Sequence, residues 1–193
     1  VLCVAKNSKL TSVDELVKFA KENPGKLTIN GAGLYVGHHI ATLQLQKAAG
    51  IKVTYIPEKG GTDALQSVLS GKVLAGFNNL ADVYRSQDRL TILAIADVKR
   101  HEFLPDVPTF RELGIDIDDA SVNFRGYAMP KGVDPAIVDK AAKIVPAMFN
   151  DPEVVKRMQE SGSPMLIMDR EQVKKMFAEK QKTLEVLLKE LRN

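Results

Sequence analysis

A glycine-rich turn between an apolar run and an amphipathic segment constrains this chain more than any other feature. The run at residues 27–30 leads into Gly31, Gly33 and Gly37, and the amphipathic segment occupies residues 40–49. The run predicts a strand and the segment a helix. Glycines at such a turn let the backbone approach a ligand, and the helix start presents unpaired N–H groups and a positive dipole end. The sequence therefore predicts an anion-binding turn.

Strands and helices alternate along the first two thirds of the chain. We expect strands at residues 1–5, 27–30, 51–56, 73–77 and 91–96. Between them we expect helices that start at a Ser12–Glu15 capping box, at the glycine turn and at a Thr62 cap. This alternation predicts βαβ units, a mostly parallel sheet and an α/β fold.

Ligands of such sheets bind beyond the carboxyl ends of the strands. Three of these ends, at residues 30–38, 57–61 and 77–79, should share one edge. They supply the candidate ligand-binding residues, which are Gly31, Gly33, Leu34, Tyr35, Val36, Gly37, His38, His39, Glu58, Lys59, Gly60, Asn78 and Asn79.

Several of these side chains have two interpretations. His38 or His39 could hydrogen-bond a ligand and, if cationic, would favour a carboxylate, or one could cap and the other be solvated. Glu58 and Lys59 could contact a ligand or form a surface ion pair. Asn78 and Asn79 could donate to carboxylates or simply form a turn. Outside these turns, Arg100 is expected to pair with Asp97 or Glu102.

The last third of the chain has a different pattern. An apolar stretch at residues 124–129 precedes three helix starts, at Asp134-Pro135, at Asp151-Pro152 and at Asp169 with Gln172. The last helix should extend to about Leu191. We therefore expect a second, mainly helical unit, with a boundary in the acidic residues 116–123.

Composition excludes several classes of protein. The net charge of +3 has no Lys/Arg block, which argues against nucleic acid. No apolar run approaches the roughly 18 residues of a membrane span. One cysteine and three histidines make an internal disulfide impossible and a metal site unexpected. Because the chain opens on an apolar strand pattern without Met, we expect the natural polypeptide to begin earlier.

The glycine spacing also permits a nucleotide-binding interpretation. Gly31, Gly33 and Gly37 imitate a dinucleotide fingerprint, and Glu58 could serve as the ribose-binding acid. The alternative function is thus an NAD(P)-binding Rossmann-type oxidoreductase domain. Such an enzyme also needs a His or Lys acid–base group, and the sequence offers no evident candidate.

Ordered motifs along nearly the whole chain resemble the solute receptors of tripartite tricarboxylate transporters, the Bug family. The motifs are SVDELVKFAKENPGK at residues 12–26, the glycine loop ending at His39, PEKGG at 57–61, AL at 64–65, SG at 70–71, Arg100 with FLPDVPT at 103–109, ELG at 112–114, RG at 125–126 and PKG at 130–132. Each is modest alone, and their joint order is specific.

The resemblance implies a type II periplasmic binding protein fold, in which two α/β lobes close on a small organic carboxylate that integral-membrane components then import. It implies a periplasmic location, no enzymatic activity and no cofactor. Residues 1–120 would be the second lobe with the ligand loop. Residues 121–193 would be a crossover strand and the helical C-terminal part of the first lobe, whose N-terminal part the chain lacks.

Two departures from the family pattern concern the ligand. Leu34, Tyr35 and Val36 stand where the family usually has a small hydroxyl residue, and Glu58 stands where it usually has an aromatic residue. A carboxylate at Glu58 could repel a diacid or accept a hydrogen bond from a ligand. The ligand is therefore expected to differ from a plain dicarboxylate.

Overall fold

The computed structural model describes residues 1–163 and 165–190, the side chain of Glu190 excepted. Within these residues the chain forms one five-stranded sheet and seven α-helices, which confirms the predicted α/β fold class. It divides into two compact units, Val1–Asn123 and the part from Phe124 onward.

The elements of the first unit are β1 (Leu2–Ala5), α1 (Val13–Glu22), β2 (Thr28–Ala32), α2 (Gly37–Ala49), β3 (Thr54–Glu58), α3 (Gly61–Leu69), β4 (Ala75–Phe77), α4 (Leu80–Tyr84), β5 (Leu90–Ala94) and a 3-10 turn (Asp119–Ser121). Those of the second unit are α5 (Pro135–Phe149), α6 (Pro152–Glu160) and α7 (Arg170–Glu190). The predicted end of the last helix, near Leu191, lies outside the described residues.

The sheet is mixed, with strand order β3-β2-β4-β1-β5. Strand β2 pairs in parallel with β3 and β4, whereas β1 pairs antiparallel with β4 and β5. Four strands therefore run in one direction, and β1 is inserted against them. The carboxyl ends of β2, β3 and β4 share one edge, as predicted, because these three neighbours are parallel.

Local capping signals explain where most helices begin. The Ser12 hydroxyl accepts the Glu15 N–H, and the Glu15 carboxylate accepts the Thr11 N–H at 2.7 Å. Asp134, Asp151 and Asp169 cap the three helices of the second unit, as predicted. The predicted Thr62 cap is wrong: α3 begins at Gly61, and the capping position is Gly60, which has no side chain to donate or accept.

Two apolar clusters cover the two faces of the sheet. The larger one includes Leu2, Val4, Ile29 and Phe77 and packs beneath α1 and α2. The smaller one includes Cys3 and Val68 and packs beneath α3 and α4. The strands are thus apolar on both faces, as expected for the centre of an α/β layer.

The second unit is far less buried. No residue of α5 or α6 is buried, although both helices carry apolar side chains. The apolar residues 124–129 adopt no regular structure, so the crossover strand that the resemblance implies is absent from this described segment. None of the described helices combines the length and apolar character needed to span a bilayer.

Candidate functional site

Three strand-to-helix turns meet at the carboxyl edge of β2, β3 and β4. The Gly33 N–H after β2 donates to the Glu58 carbonyl of β3 at 2.9 Å. The His38 ring in α2 lies 3.2 Å, from Nε2 to Oδ1, from Asn79 after β4. The structure therefore brings together the three turns from which the candidate residues come.

The three glycines of the first turn have different roles. A Cβ at Gly31 would clash with His38 and Tyr55, and a Cβ at Gly37 would clash with the Ser121 carbonyl oxygen. These two glycines are required for packing within the protein. Only Gly33, with φ of +72° and no Cβ contact closer than 3.9 Å, combines a left-handed conformation with open space.

The N–H groups of this turn divide into bonded and unbonded sets. The N–H groups of Gly33 and Tyr35 are bonded internally, to the Glu58 carbonyl and to His39 Nδ1. Others have no acceptor among the described residues, namely those of Leu34, Val36, Gly37, His38 and His39. The donors that remain for an anion are therefore the first turn of α2 and two loop positions before it.

Side-chain capping distinguishes α2 and α3 from the other long helices. Ser or Asp side chains cap α1, α5, α6 and α7, whereas no side chain caps the starts of α2 and α3. Both uncapped starts lie at the same sheet edge, where Gly61 approaches Asn79. Unsatisfied donors and two positive dipole ends thus face this edge.

The two adjacent histidines are both neutral, for the same reasons. His38 Nδ1 accepts the Ala32 N–H at 2.9 Å, and His39 Nδ1 accepts the Tyr35 N–H at 3.0 Å. Burial lowers the pKa of both rings below the usual value. With Nδ1 as acceptor, each ring carries its proton on Nε2.

Only one of these Nε2–H donors is unused. His38 donates to Asn79 Oδ1, so both of its nitrogens are occupied and its role is to hold two turns together. His39 Nε2 has no partner among the described residues, and the ring is half-exposed. His39 is therefore the histidine that can donate to a ligand.

The sequence interpretation missed Tyr55. Its ring stacks on His39 with centroids 4.3 Å apart, and its hydroxyl donates to the Gly33 carbonyl at 2.9 Å. The alternation of side chains along β3 is the signal that could have found it, because Tyr55, in register with Ile29, shares a face of the sheet with Pro57, two residues later at the start of the second turn.

Glu58 is held by the protein itself. The Ser67 hydroxyl donates to its carboxylate at 2.6 Å, and Lys72 lies 3.7 Å away. The Ser67 hydrogen bond lowers the pKa of this carboxyl, whose side chain is 14% exposed. Of the two interpretations, the ion pair of Glu58 with Lys59 does not form; Glu58 pairs with Lys72, and Lys59 is exposed.

The two asparagines after β4 have separate environments. Asn79 accepts hydrogen bonds from His38 and from Asn123 at the site edge. Asn78 is buried, with its amide nitrogen 3.7 Å from the Cys3 sulfur, so the structure does not bring it to the surface of the site. Successive residues leaving a strand point to opposite faces, which explains the difference.

Two further expectations concern other polar residues. Arg100 pairs with Glu112, at 2.9 Å and 3.0 Å, and not with Asp97 or Glu102 as predicted. This ion pair, in which both Glu112 carboxylate oxygens accept from Arg100 Nε, lowers the pKa of Glu112 to about 2. No three His, Cys, Asp or Glu side chains of the described residues are arranged to hold a metal ion.

Comparison with known proteins identifies the family. The model of the tripartite tricarboxylate transporter family receptor, TctC, matches residues 1–192. The chain is 36% identical over 140 residues to the UPF0065 protein in gbd 5′region of Cupriavidus necator, covering 72% of this chain and 42% of that protein. It is 30% identical over 181 residues to protein BugT of Bordetella pertussis, covering 93% and 55%.

Solved structures share the fold. Rpa4515 of R. palustris, determined with adipate, has a TM-score of 0.81 and 22% identity, covering 98% of this chain and 64% of that one. The chain spans about half the length of the curated relatives it matches. The family is one of transporter receptors and not of enzymes, and its members have the periplasmic binding protein fold. With a match over nearly its full length, this chain belongs to the tripartite tricarboxylate transporter receptor family.

Proposed function

We propose that this chain is part of a periplasmic receptor that captures a small organic carboxylate and delivers it to the membrane components of a tripartite tricarboxylate transporter. Residues 1–120 supply the second lobe and its ligand loop, and residues 121–193 supply the returning part of the first lobe. Ligand bridges the two lobes and shifts the receptor toward a closed state.

One observation carries this proposal. The start of α2 and the loop before it have N–H groups without acceptors among the described residues, those of Leu34 and of residues 36–39, next to the unused Nε2–H of His39. A carboxylate has two acceptor oxygens that match such donors, and the helix dipole adds attraction. The adipate in a structural neighbour is a carboxylate of this kind.

The NAD(P) alternative is not favoured. Glu58, its ribose-binding acid, is already engaged by Ser67 and Lys72. Gly31 and Gly37, two of its three fingerprint glycines, are required for packing against His38 and Ser121. The acid that would bind the ribose of a dinucleotide is therefore not free.

A pair of variants at Gly33 tests the carboxylate proposal. Gly33→Asp and Gly33→Asn have the same shape, fit the open space, and both tolerate the left-handed conformation at a cost of about 1 kcal/mol. Because only Asp adds a negative charge at the donors, we expect it to weaken adipate binding about tenfold relative to Asn. Two-dimensional ¹H–¹⁵N NMR titration of the whole chain measures this.

The same titration identifies the site and the ligand class. Adipate should shift the amides of Leu34 and of residues 36–39 more than those of Gly33 and Tyr35, whose N–H groups are already bonded. Equal adipate affinity in the two variants would remove the loop from the site. Shifts with NAD⁺ and none with any carboxylate would overturn the proposed function.

A further inference from the structure

The loop that presents the free donors also presents an exposed apolar surface. Leu34, Tyr35 and Val36 are 55%, 67% and 45% exposed, and they are consecutive in the chain. Tyr35 has φ of +57°, a conformation that costs a non-glycine residue free energy. Strained backbone of this kind persists where neighbouring contacts enforce it, and it concentrates at ligand sites.

Aromatic contacts hold this surface in place. The Tyr35 N–H donates to His39 Nδ1, and the two rings lie 5.2 Å apart. The His39 ring stacks on Tyr55, whose hydroxyl is anchored on the Gly33 carbonyl. The result is an ordered apolar wall, formed by Leu34, Tyr35, Val36, His39 and Tyr55, directly beside the carboxylate donors.

The charges at this edge disfavour a second carboxylate on the ligand. Both histidines are neutral, Lys72 is paired with Glu58, and Arg85 is paired with Asp82 at 2.6 Å. Asp63 adds another negative charge in the first turn of α3. Lys59 is exposed, and Asp63 offsets its charge, so the charged side chains of this edge have no net positive charge. A distant second carboxylate would therefore lose hydration without gaining a net positive charge from the side chains of this edge.

We infer that this site selects a monocarboxylate with an apolar body over a dicarboxylate of the same length. The inference rests on the proposed function, because the first carboxylate occupies the free donors of α2 and His39 Nε2–H. The carbon chain or ring then lies on the apolar wall, where burial of each methylene strengthens binding. This deepens the assignment from carboxylates in general to one chemical class.

Hexanoate and adipate form a matched pair of probes, since they have six carbons each and differ by one carboxylate. We expect hexanoate to bind the whole chain about tenfold more tightly, because one buried methylene is worth a factor of about four. Amide shifts of residues 34–39 in NMR titrations give both dissociation constants. Equal or tighter binding of adipate would overturn the inference and leave the proposed function standing.

Substitutions in the apolar wall distinguish its contribution to ligand selectivity from that of the N–H groups that bind the carboxylate. Leu34→Ser and Tyr35→Asn remove apolar area, and Asn tolerates the left-handed backbone at position 35. Both should reduce the preference for hexanoate to about threefold or less. The matched control is Leu74→Ser. Leu74 is an exposed leucine that precedes the amino end of β4, opposite to the ligand edge, so this variant should keep the full preference for hexanoate.

The three outcomes are distinguishable. An unchanged hexanoate preference in both wall variants would show that the wall does not contact the ligand, against the inference. Loss of preference in the Leu74 control would show a nonspecific effect and count equally against it. If neither acid shifts the loop amides in the unaltered chain, the proposed function itself fails at this site.

Discussion

At the scale of single residues, two neighbouring histidines with the same protonation state have different roles. His38 uses both ring nitrogens within the protein, to Ala32 and to Asn79, whereas His39 uses only Nδ1. Hydrogen-bonding capacity, and not charge, therefore decides which of them can contact a ligand. The sequence left this choice open, because it does not show which acceptors surround each ring.

Two substitutions at His39 test this assignment. Asn places an oxygen near the Nδ1 position and keeps an acceptor for the Tyr35 N–H, but it loses the Nε2 donor. Gln places an amide N–H near the Nε2 position. Because a hydrogen bond to a charged group is worth about 1.5–3 kcal/mol, His39→Asn should weaken carboxylate binding at least about tenfold, and His39→Gln about threefold or less. Isothermal titration or NMR gives the affinities.

The pH dependence supplies the control for the same prediction. Burial keeps the pKa of His39 below its usual value, so the neutral ring predominates from about pH 8 down to its ordinary pKa of about 6.5. Affinity should stay constant over this range. A severalfold rise toward pH 6.5 would instead indicate a cationic histidine in the site, and equal affinities of the Asn and Gln variants would contradict the donor role.

Other residue roles depended on partners that are distant in the chain. Glu58 bonds to Ser67 and Lys72, nine and fourteen positions later, so its sequence neighbour Lys59 was a misleading candidate. The split between Asn78 and Asn79, by contrast, follows from strand alternation and could have been predicted. The residue types alone predicted that this edge of the sheet is polar. Which partner each polar side chain bonds to could be found only from the folded structure.

At the scale of elements, the structure distinguishes two helices that both begin with glycine. A Cβ at Gly37 would clash with the backbone carbonyl of Ser121, which cannot move without shifting the 3-10 turn. A Cβ at Gly61 would lie 3.3 Å from the side-chain amide of Asn79, which can rotate. The two positions are matched, as each is the first residue of its helix.

Alanine at each position should therefore have opposite effects on stability. Gly37→Ala should lower the free energy of unfolding by about 1–3 kcal/mol, as overpacking usually does. Gly61→Ala should leave it unchanged or raise it by up to about 1 kcal/mol, because alanine favours a helix. Urea denaturation of both variants measures the difference. Equal effects would show that the contact of the 3-10 turn with α2 does not constrain the protein.

The ends of helices could be predicted from the sequence where the residues that specify them lie nearby in the chain. The Ser12, Asp134, Asp151 and Asp169 caps and the Gly50 end of α2, at φ of +61°, lie within a few residues of the structure they specify. The reversed direction of β1 was not predictable in this way. Its partners are β4 and β5, more than seventy residues away, and no local pattern encodes their order.

At the scale of the whole chain, the two units differ in how their helices are stabilised. Helix α2 buries six residues within the first unit, whereas α5, of similar length, buries none. Isolated helices of about 15 residues are marginal in water without such packing. Exposed apolar side chains on α5 and α7, including Ile137, Met148 and Phe177, have the composition of a face that packs against further protein.

This difference predicts unequal hydrogen exchange across the chain. Amides of the buried residues 40–45 of α2 and of β1 and β2 should exchange only on global unfolding, because these residues are buried. Amides of α5 should exchange at least about a hundredfold faster, since its hydrogen bonds open without exposing a core. The two helices have 13 and 15 residues, so helix length is controlled. Native-state hydrogen exchange of the whole chain, measured by NMR, tests this prediction. If α5 were protected as strongly as α2, the apolar face of α5 would have to be covered in solution, for example by another copy of the chain.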